Sequence, residues 1–154
     1  MNTYFFGVGI VVYLSDISIR FFDMILLLSG ASETARNLVV DKILDRHKDW
    51  RHLALEDLRE DEVWEDEDDV TLEDVFGTMI ACDCAKDVQK EGCHIVITSP
   101  SVYLISTVKD AFEDIIITVH MGKSEEPEDF THVLDPKKTS LNETYAFLEK
   151  LIQQ

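Results

Sequence analysis

The chain has 154 residues, enough for one domain with a buried core, and its 45% apolar content excludes global disorder. Thirty-one acids against fourteen bases leave a formal net charge of −17. That field repels nucleic-acid phosphates and anionic membrane, and it repels free ATP as well unless a local basic site or Mg²⁺ compensates.

Tyr4 to Leu14 is almost wholly apolar. Eleven residues fall short of the ~20 that a bilayer core requires, and the run lacks the basic flank and small-residue cleavage pattern of a signal peptide. Residues 1–23 are therefore expected to be an extension outside the main domain, either an added strand or a packed segment. The other reading is attachment to a membrane or partner, since such a run should not stay exposed. Three cysteines in no regular framework point to a reducing, cytoplasmic setting.

A regular pattern starts at Met24 and sets a domain over 24–154. Residues 24–29 form a short apolar run ending at Gly30, as a central parallel strand covered on both faces would. Helical spacing follows over 35–47, with Val39, Val40, Ile43 and Leu44 on one side. His52–Leu55 reads as a second strand. Residues 56–74 hold twelve acids and one base, Arg59, and read as a solvated acidic loop in which Trp64 is the one residue suited to docking. Thr71 then caps a helix with Asp74 reaching back to it; Leu72, Val75, Phe76 and Met79 share a face, and Gly92 marks the end.

Residues 94–98 make a third strand, broken by Ser99 and Pro100. A helix through Ile105, Val108 and Phe112 and a fourth strand over 114–119 come next. Leu141, Tyr145, Leu148 and Ile152 form the buried stripe of a closing helix. Strands alternating with helices at this spacing predict an α/β three-layer sandwich on a mainly parallel sheet with right-handed crossovers. Cys82 and Cys84 lie two apart on a predicted helix and so point in nearly opposite directions, which argues against a zinc site with Cys93 and His94.

Ligands of such sheets bind at the carboxyl ends of the strands. The segment from Leu26 through Gly30 to Asn37 resembles the strand–loop–helix of P-loop small-molecule kinases, and is similar to that of adenylylsulfate kinases. The family's Walker A pattern is Gly, four residues, then Gly-Lys-Ser/Thr. Gly30 matches the first glycine, while Ala35, Arg36 and Asn37 stand where Gly, Lys and Ser/Thr belong. A missing glycine limits backbone wrapping of phosphate, a guanidinium cannot copy the compact lysine contact, and asparagine lacks the hydroxyl that holds Mg²⁺. Glu33 adds a negative charge inside the loop.

Leu55-Glu56-Asp57-Leu58-Arg59 is similar to the acidic-acidic-aliphatic-Arg motif of the same kinases. The resemblance implies Glu56, with Asp57 beside it, as the candidate base near an acceptor hydroxyl, and Arg59 as a clamp on an anionic substrate. Thr98-Ser99-Pro100-Ser101 resembles the Ser-Pro turn of adenylylsulfate kinases, placing Ser99 at the substrate. Val133-Leu134-Asp135 and Ser140-Leu141-Asn142-Glu143 look like the closing strand and the capped last helix. The arginine-rich lid has no counterpart after the fourth strand, where the 121–127 stretch carries Lys123 alone.

Phosphoryl transfer depends on positioning and charge neutralisation. Losing lid arginines, loop lysine and Mg²⁺ hydroxyl together leads us to expect an eroded kinase serving as a binding or regulatory protein, a pseudoenzyme. The alternative is a weak or atypical ATP-dependent phosphotransferase acting on a small-molecule hydroxyl through Arg36, Glu56 and Arg59. ATP and Mg²⁺ are expected only if the altered loop still binds them. A protein partner, or a nucleotide or other small anion, is the expected ligand, with no nucleic acid and no membrane. Substrate, partner and oligomeric state are left open by the sequence.

Overall fold

The computed structural model describes residues 3–5, 11–13, 23–59, 64, 69–113, 116–122, 130–135 and 137–153. Short strands β1 (Thr3–Phe5) and β2 (Val11–Tyr13) pair antiparallel in a sheet of their own. The rest of the 1–23 extension lies largely outside the described residues.

The main sheet has five strands, β3 (Ile25–Gly30), β4 (Trp50–Ala54), β5 (His94–Thr98), β6 (Ile117–Met121) and β7 (His132–Leu134), in the order β4-β5-β3-β6-β7. Every pairing in it is parallel. Strand β3 sits at the centre because its successive side chains point to opposite faces and both faces are apolar. Ile25 and Leu27 enter the core under α2 (Leu72–Gln89) and α3 (Ile105–Ala111), whereas Leu26 and Leu28 enter the core under α1 (Glu33–Arg46) and α4 (Leu141–Ile152). The three-layer α/β sandwich expected from the sequence is the observed architecture.

Two strands start and stop elsewhere than the apolar runs suggest. Strand β4 covers 50–54 rather than 52–55, because Trp50 is buried and stacks on His94 with ring centroids 4.9 Å apart, while Leu55 has already entered a 3-10 turn (Leu55–Leu58). Strand β6 covers 117–121 rather than 114–119, and residues 114 and 115 lie outside the described residues.

Helix α2 differs more. Its cap is as expected, with the Thr71 hydroxyl accepting from Asp74 N–H and the Asp74 carboxylate accepting from Thr71 N–H. Most of its apolar stripe, however, faces outward: Leu72, Phe76 and Met79 are exposed, as is Ile80, while Val75 is half-buried against the core and Asp74, Thr78, Cys82 and Ala85 are buried. The inward face is fixed by Asp74, which bonds Arg59 beneath the helix, and by the Thr78 hydroxyl, which donates to Asp74 C=O at 2.7 Å. Cys82 is buried and Cys84 exposed, on the divergent directions expected for i, i+2.

The buried stripe of α4 is Thr144, Leu148 and Leu151; Leu141 is exposed and Tyr145 and Ile152 only half-buried. Tyr145 is drawn aside because its hydroxyl donates to the Glu149 carboxylate, which also bonds His47 Nε2 at 2.8 Å and so ties α4 to the end of α1. Ser140 caps α4, accepting from Glu143 N–H; the Glu143 carboxylate returns to the Ser140 hydroxyl rather than to its backbone N–H.

Gly30 closes β3 with φ +76, and a Cβ there would stand 2.5 Å from Met121 C=O and 2.9 Å from His120 Cε1. Gly92 has φ +90 with nothing within 4 Å of such a Cβ. Gly30→Ala is therefore expected to lower stability by about 3 kcal/mol, through strain plus overpacking, and Gly92→Ala by about 1 kcal/mol through strain alone. Urea midpoints of the two variants check the difference; equal losses would place the close β3–β6 contact in error.

Candidate functional site

The carboxyl ends of β3, β4 and β5 converge on one cluster. Gly30 and Ala31 both take positive φ, Ser32 caps α1 by accepting from Ala35 N–H at 3.1 Å, and the helix begins at Glu33. Only Ala31 and Ser32 thus separate strand from helix, so Ala35, Arg36 and Asn37 already belong to its first turns. Arg36 N–H bonds Ser32 C=O at 3.0 Å as a helical donor.

The Arg36 side chain is buried and folds back over the loop. Its Nη1 donates to Gly30 C=O (2.9 Å) and Ala31 C=O (3.2 Å), and its Nη2 lies 3.5 Å from Glu56 Oε2. Glu56, buried in the 3-10 turn after β4, accepts from the Thr98 hydroxyl at 2.7 Å. His52 Nε2 lies 2.8 Å from that same hydroxyl. Since the hydroxyl proton is directed to Glu56, His52 supplies Nε2–H, and burial, which lowers its pKa, keeps the ring in that neutral form. Burial pushes the Glu56 pKa up, against the opposing pulls of the Thr98 bond and the Arg36 charge. Among the described residues, Arg36 Nε and Glu56 Oε2 are buried without a hydrogen-bond partner.

Arg59 belongs to a second cluster. Its Nε and Nη2 meet Asp74 Oδ1 and Oδ2 at 2.9 and 2.6 Å, Nη2 also donates to Asp69 C=O, and the guanidinium lies 3.6 Å from the centroid of the Trp64 ring. This bidentate bond from Arg59, ahead of the two bonds from Thr71, holds the Asp74 pKa down to about 2. Trp64, the aromatic of the acidic segment, docks on this domain's own arginine.

Asp57 is exposed beside the cluster and Asn37 and Ala35 are half-exposed. Ser99 is fully buried: its hydroxyl donates to Ser101 C=O at 2.6 Å and accepts from Ser101 N–H, which closes the turn after β5. Gly30, Arg36 and Glu56 are thus brought together, while Arg59 and Ser99 are each engaged elsewhere. Three polar residues of this region escaped the sequence reading, namely His52, Thr98 and His120. His120, one residue before the end of β6, meets the Ser29 hydroxyl at 2.9 Å and stacks on Phe130. Thr98 and His120 stand at or near the carboxyl ends of apolar strands, which is the signal that could have flagged them; His52 lies in the middle of β4 and carried no such signal.

The donor set does not fit Mg-ATP as a Walker A loop holds it. The cation at the lysine position is turned onto the loop's own carbonyls and a carboxylate, Asn37 brings no hydroxyl for the metal, and two residues cannot wrap a phosphate.

No protein-family model matches the chain, and no curated protein matches it in sequence. Solved structures do. The fold is similar to that of APE1195, with a TM-score of 0.63 at 13% identity over 85% of this chain and 95% of that one. It is similar to the Mycobacterium tuberculosis APS kinase CysC, in a cysteine-to-alanine variant, with a TM-score of 0.58 at 15% identity over 86% and 99%. A de novo designed protein of the PLOOP2X3_50 fold gives 0.54 at 10% identity over 86% and 96%. The chain has a P-loop NTPase fold of the APS-kinase-like kind, as the resemblance implied. At these identities the likeness concerns the fold alone.

The Asp74 pKa near 2, below its ordinary 3.8, has a consequence for stability. A depressed carboxylate stabilises the fold above its unfolded pKa and loses that contribution as pH falls through the folded one. Asp74→Asn is expected to cost about 2 kcal/mol at pH 7, with the gap to wild type narrowing between about pH 4 and pH 2. Urea unfolding across that range tests it; a gap independent of pH would mean that the ion pair is not its source.

Proposed function

We propose that this chain is a kinase-like P-loop domain that does not transfer phosphate and acts in the cytoplasm as a binding or regulatory protein. One observation carries the reading: both arginines that a kinase would turn on anions are held by carboxylates of the fold, Arg36 by Glu56 and Arg59 by Asp74. An anionic substrate would have to compete with carboxylates already in place, against a chain of net charge −17. The same charge disfavours nucleic acid as a partner, and a protein or a small anion is the ligand class proposed. No helix among the described residues is long and apolar enough to cross a membrane.

A weak or atypical phosphotransferase is the second reading. Glu56 favours it, because a carboxyl whose pKa is raised by burial suits a general base at the end of β4. It requires Arg36 to leave Glu56 and face the nucleotide. Asp57 keeps its proposed place near the acceptor in this reading only, and Ser99 would first have to release its hydroxyl from Ser101.

Calorimetric titration with Mg-ATP and ADP separates the two. The non-catalytic reading expects affinity weaker than about millimolar, worth less than about 4 kcal/mol. Ala35→Gly with Arg36→Lys and Asn37→Ser is expected to improve nucleotide binding more than changes elsewhere, and removing Glu33 to add to the gain. Micromolar binding of Mg-ATP by the unaltered protein would overturn the proposal.

A further inference from the structure

An arginine buried at the mouth of a strand–helix turn, with a carboxylate facing it, is an arrangement that can be read as a receptor already filled. We infer that the Glu56 carboxylate is the built-in anion of this loop, seated where a small tetrahedral oxyanion would otherwise sit against Arg36 and Thr98. The inference rests on the non-catalytic reading and gives its physical cause.

Three features carry it. First, the side chains of Arg36 and Glu56 are 6% and 4% exposed, so neither charge is met by bulk water. A buried charge must be matched internally. Second, Arg36 reaches the Gly30 and Ala31 carbonyls through Nη1 alone, leaving Nη2 directed at Glu56 and Nε without a hydrogen bond. A guanidinium offers a fork of donors that suits two oxygens of one anion. Glu56 answers with Oε2 at 3.5 Å, longer than a charge-assisted hydrogen bond, and that oxygen has no hydrogen-bond partner of its own. The carboxylate supplies the charge but does not complete the fork. Third, Glu56 Oε1 takes the Thr98 hydroxyl, which His52 supports from behind. A guanidinium, a hydroxyl donor and an ordered neutral histidine around one anionic oxygen pair make a built site rather than a bare helix N-terminus.

The ligand class follows from these donors. Arg36 offers Nε and Nη2, Thr98 offers one O–H, and the loop is too short to cradle a polyphosphate chain. A single tetrahedral oxyanion, inorganic phosphate in the simplest case, matches that set. Removing the Glu56 side chain beyond Cβ takes away the resident charge and leaves space for it.

The experiment is chemical rescue measured by thermal unfolding of the full chain at neutral pH, in phosphate against chloride at equal ionic strength. Glu56→Ala is expected to melt below wild type in chloride and to recover by about 4 °C or more in about 20 mM phosphate. Wild type should move by less than about 1 °C, and Arg36→Met combined with Glu56→Ala should not respond. If Glu56→Ala does not fold in chloride, recovery of the fold in phosphate supports the inference. Should it fold in neither, Glu56→Ser, which likewise removes the resident charge and leaves space, takes its place with the same expected response. No rescue, or equal rescue with and without Arg36, overturns the inference. Tight Mg-ATP binding by the unaltered protein would instead overturn the non-catalytic reading, so the two failures are distinguishable.

Discussion

A guanidinium cannot be buried at the carboxyl edge of a parallel sheet without acceptors, and meeting that demand organises this end of the molecule. Arg36 projects from the first turns of α1, whose position is fixed by the Ser32 cap and by Val39, Val40 and Ile43 packed on the sheet. Its acceptors come from the end of β3 and from the 3-10 turn that follows β4. Between those two strands lies β5, whose Thr98 hydroxyl joins Glu56 to His52. One buried charge thus ties together three adjacent strands at their ends. Removing either partner would strand the other, which is why such a pair is costly to break even when its net contribution is small.

The second arginine performs a comparable task nearby. Arg59 leaves the turn after β4 and meets Asp74, whose carboxylate also accepts from the N-cap Thr71, so the start of that helix is anchored beside the sheet by a bidentate ion pair. This choice also rotates the helix. With Asp74 and Thr78 facing inward, Leu72, Phe76, Met79 and Ile80 are turned to the surface, and the small Cys82 and Ala85 provide the contact with the core.

How much of this was legible in the sequence depended on where the deciding contacts lay. Strands β3 and β5 were readable because burial on both faces leaves an uninterrupted apolar run, and nothing beyond that run is needed to place them. Strands β4 and β6 were shifted by one to three residues because they carry His52, Thr118 and His120, polar groups accommodated by partners distant in the chain, and the exposed Arg51, which bonds nearby carbonyls. The face of α2 was misread for the same reason: apolar periodicity reports a preference for burial, and an ion pair formed across fifteen residues overrode it. In the site, Gly30, Arg36, Glu56 and Arg59 could be picked out as chemistry-bearing positions. That each arginine would face a carboxylate of its own fold was not readable, since spacing along the chain does not reveal which side chains meet across strands.

Gly30 illustrates how a motif can be over-read. In this backbone the position admits no Cβ, because the Met121 carbonyl of the neighbouring strand lies where that atom would be. A glycine is therefore demanded by the spacing of two strands before any ligand is considered. A pattern search keyed to this residue detects a tight approach of two paired strands, and would score the loop identically whether it cradled an anion or sealed itself shut.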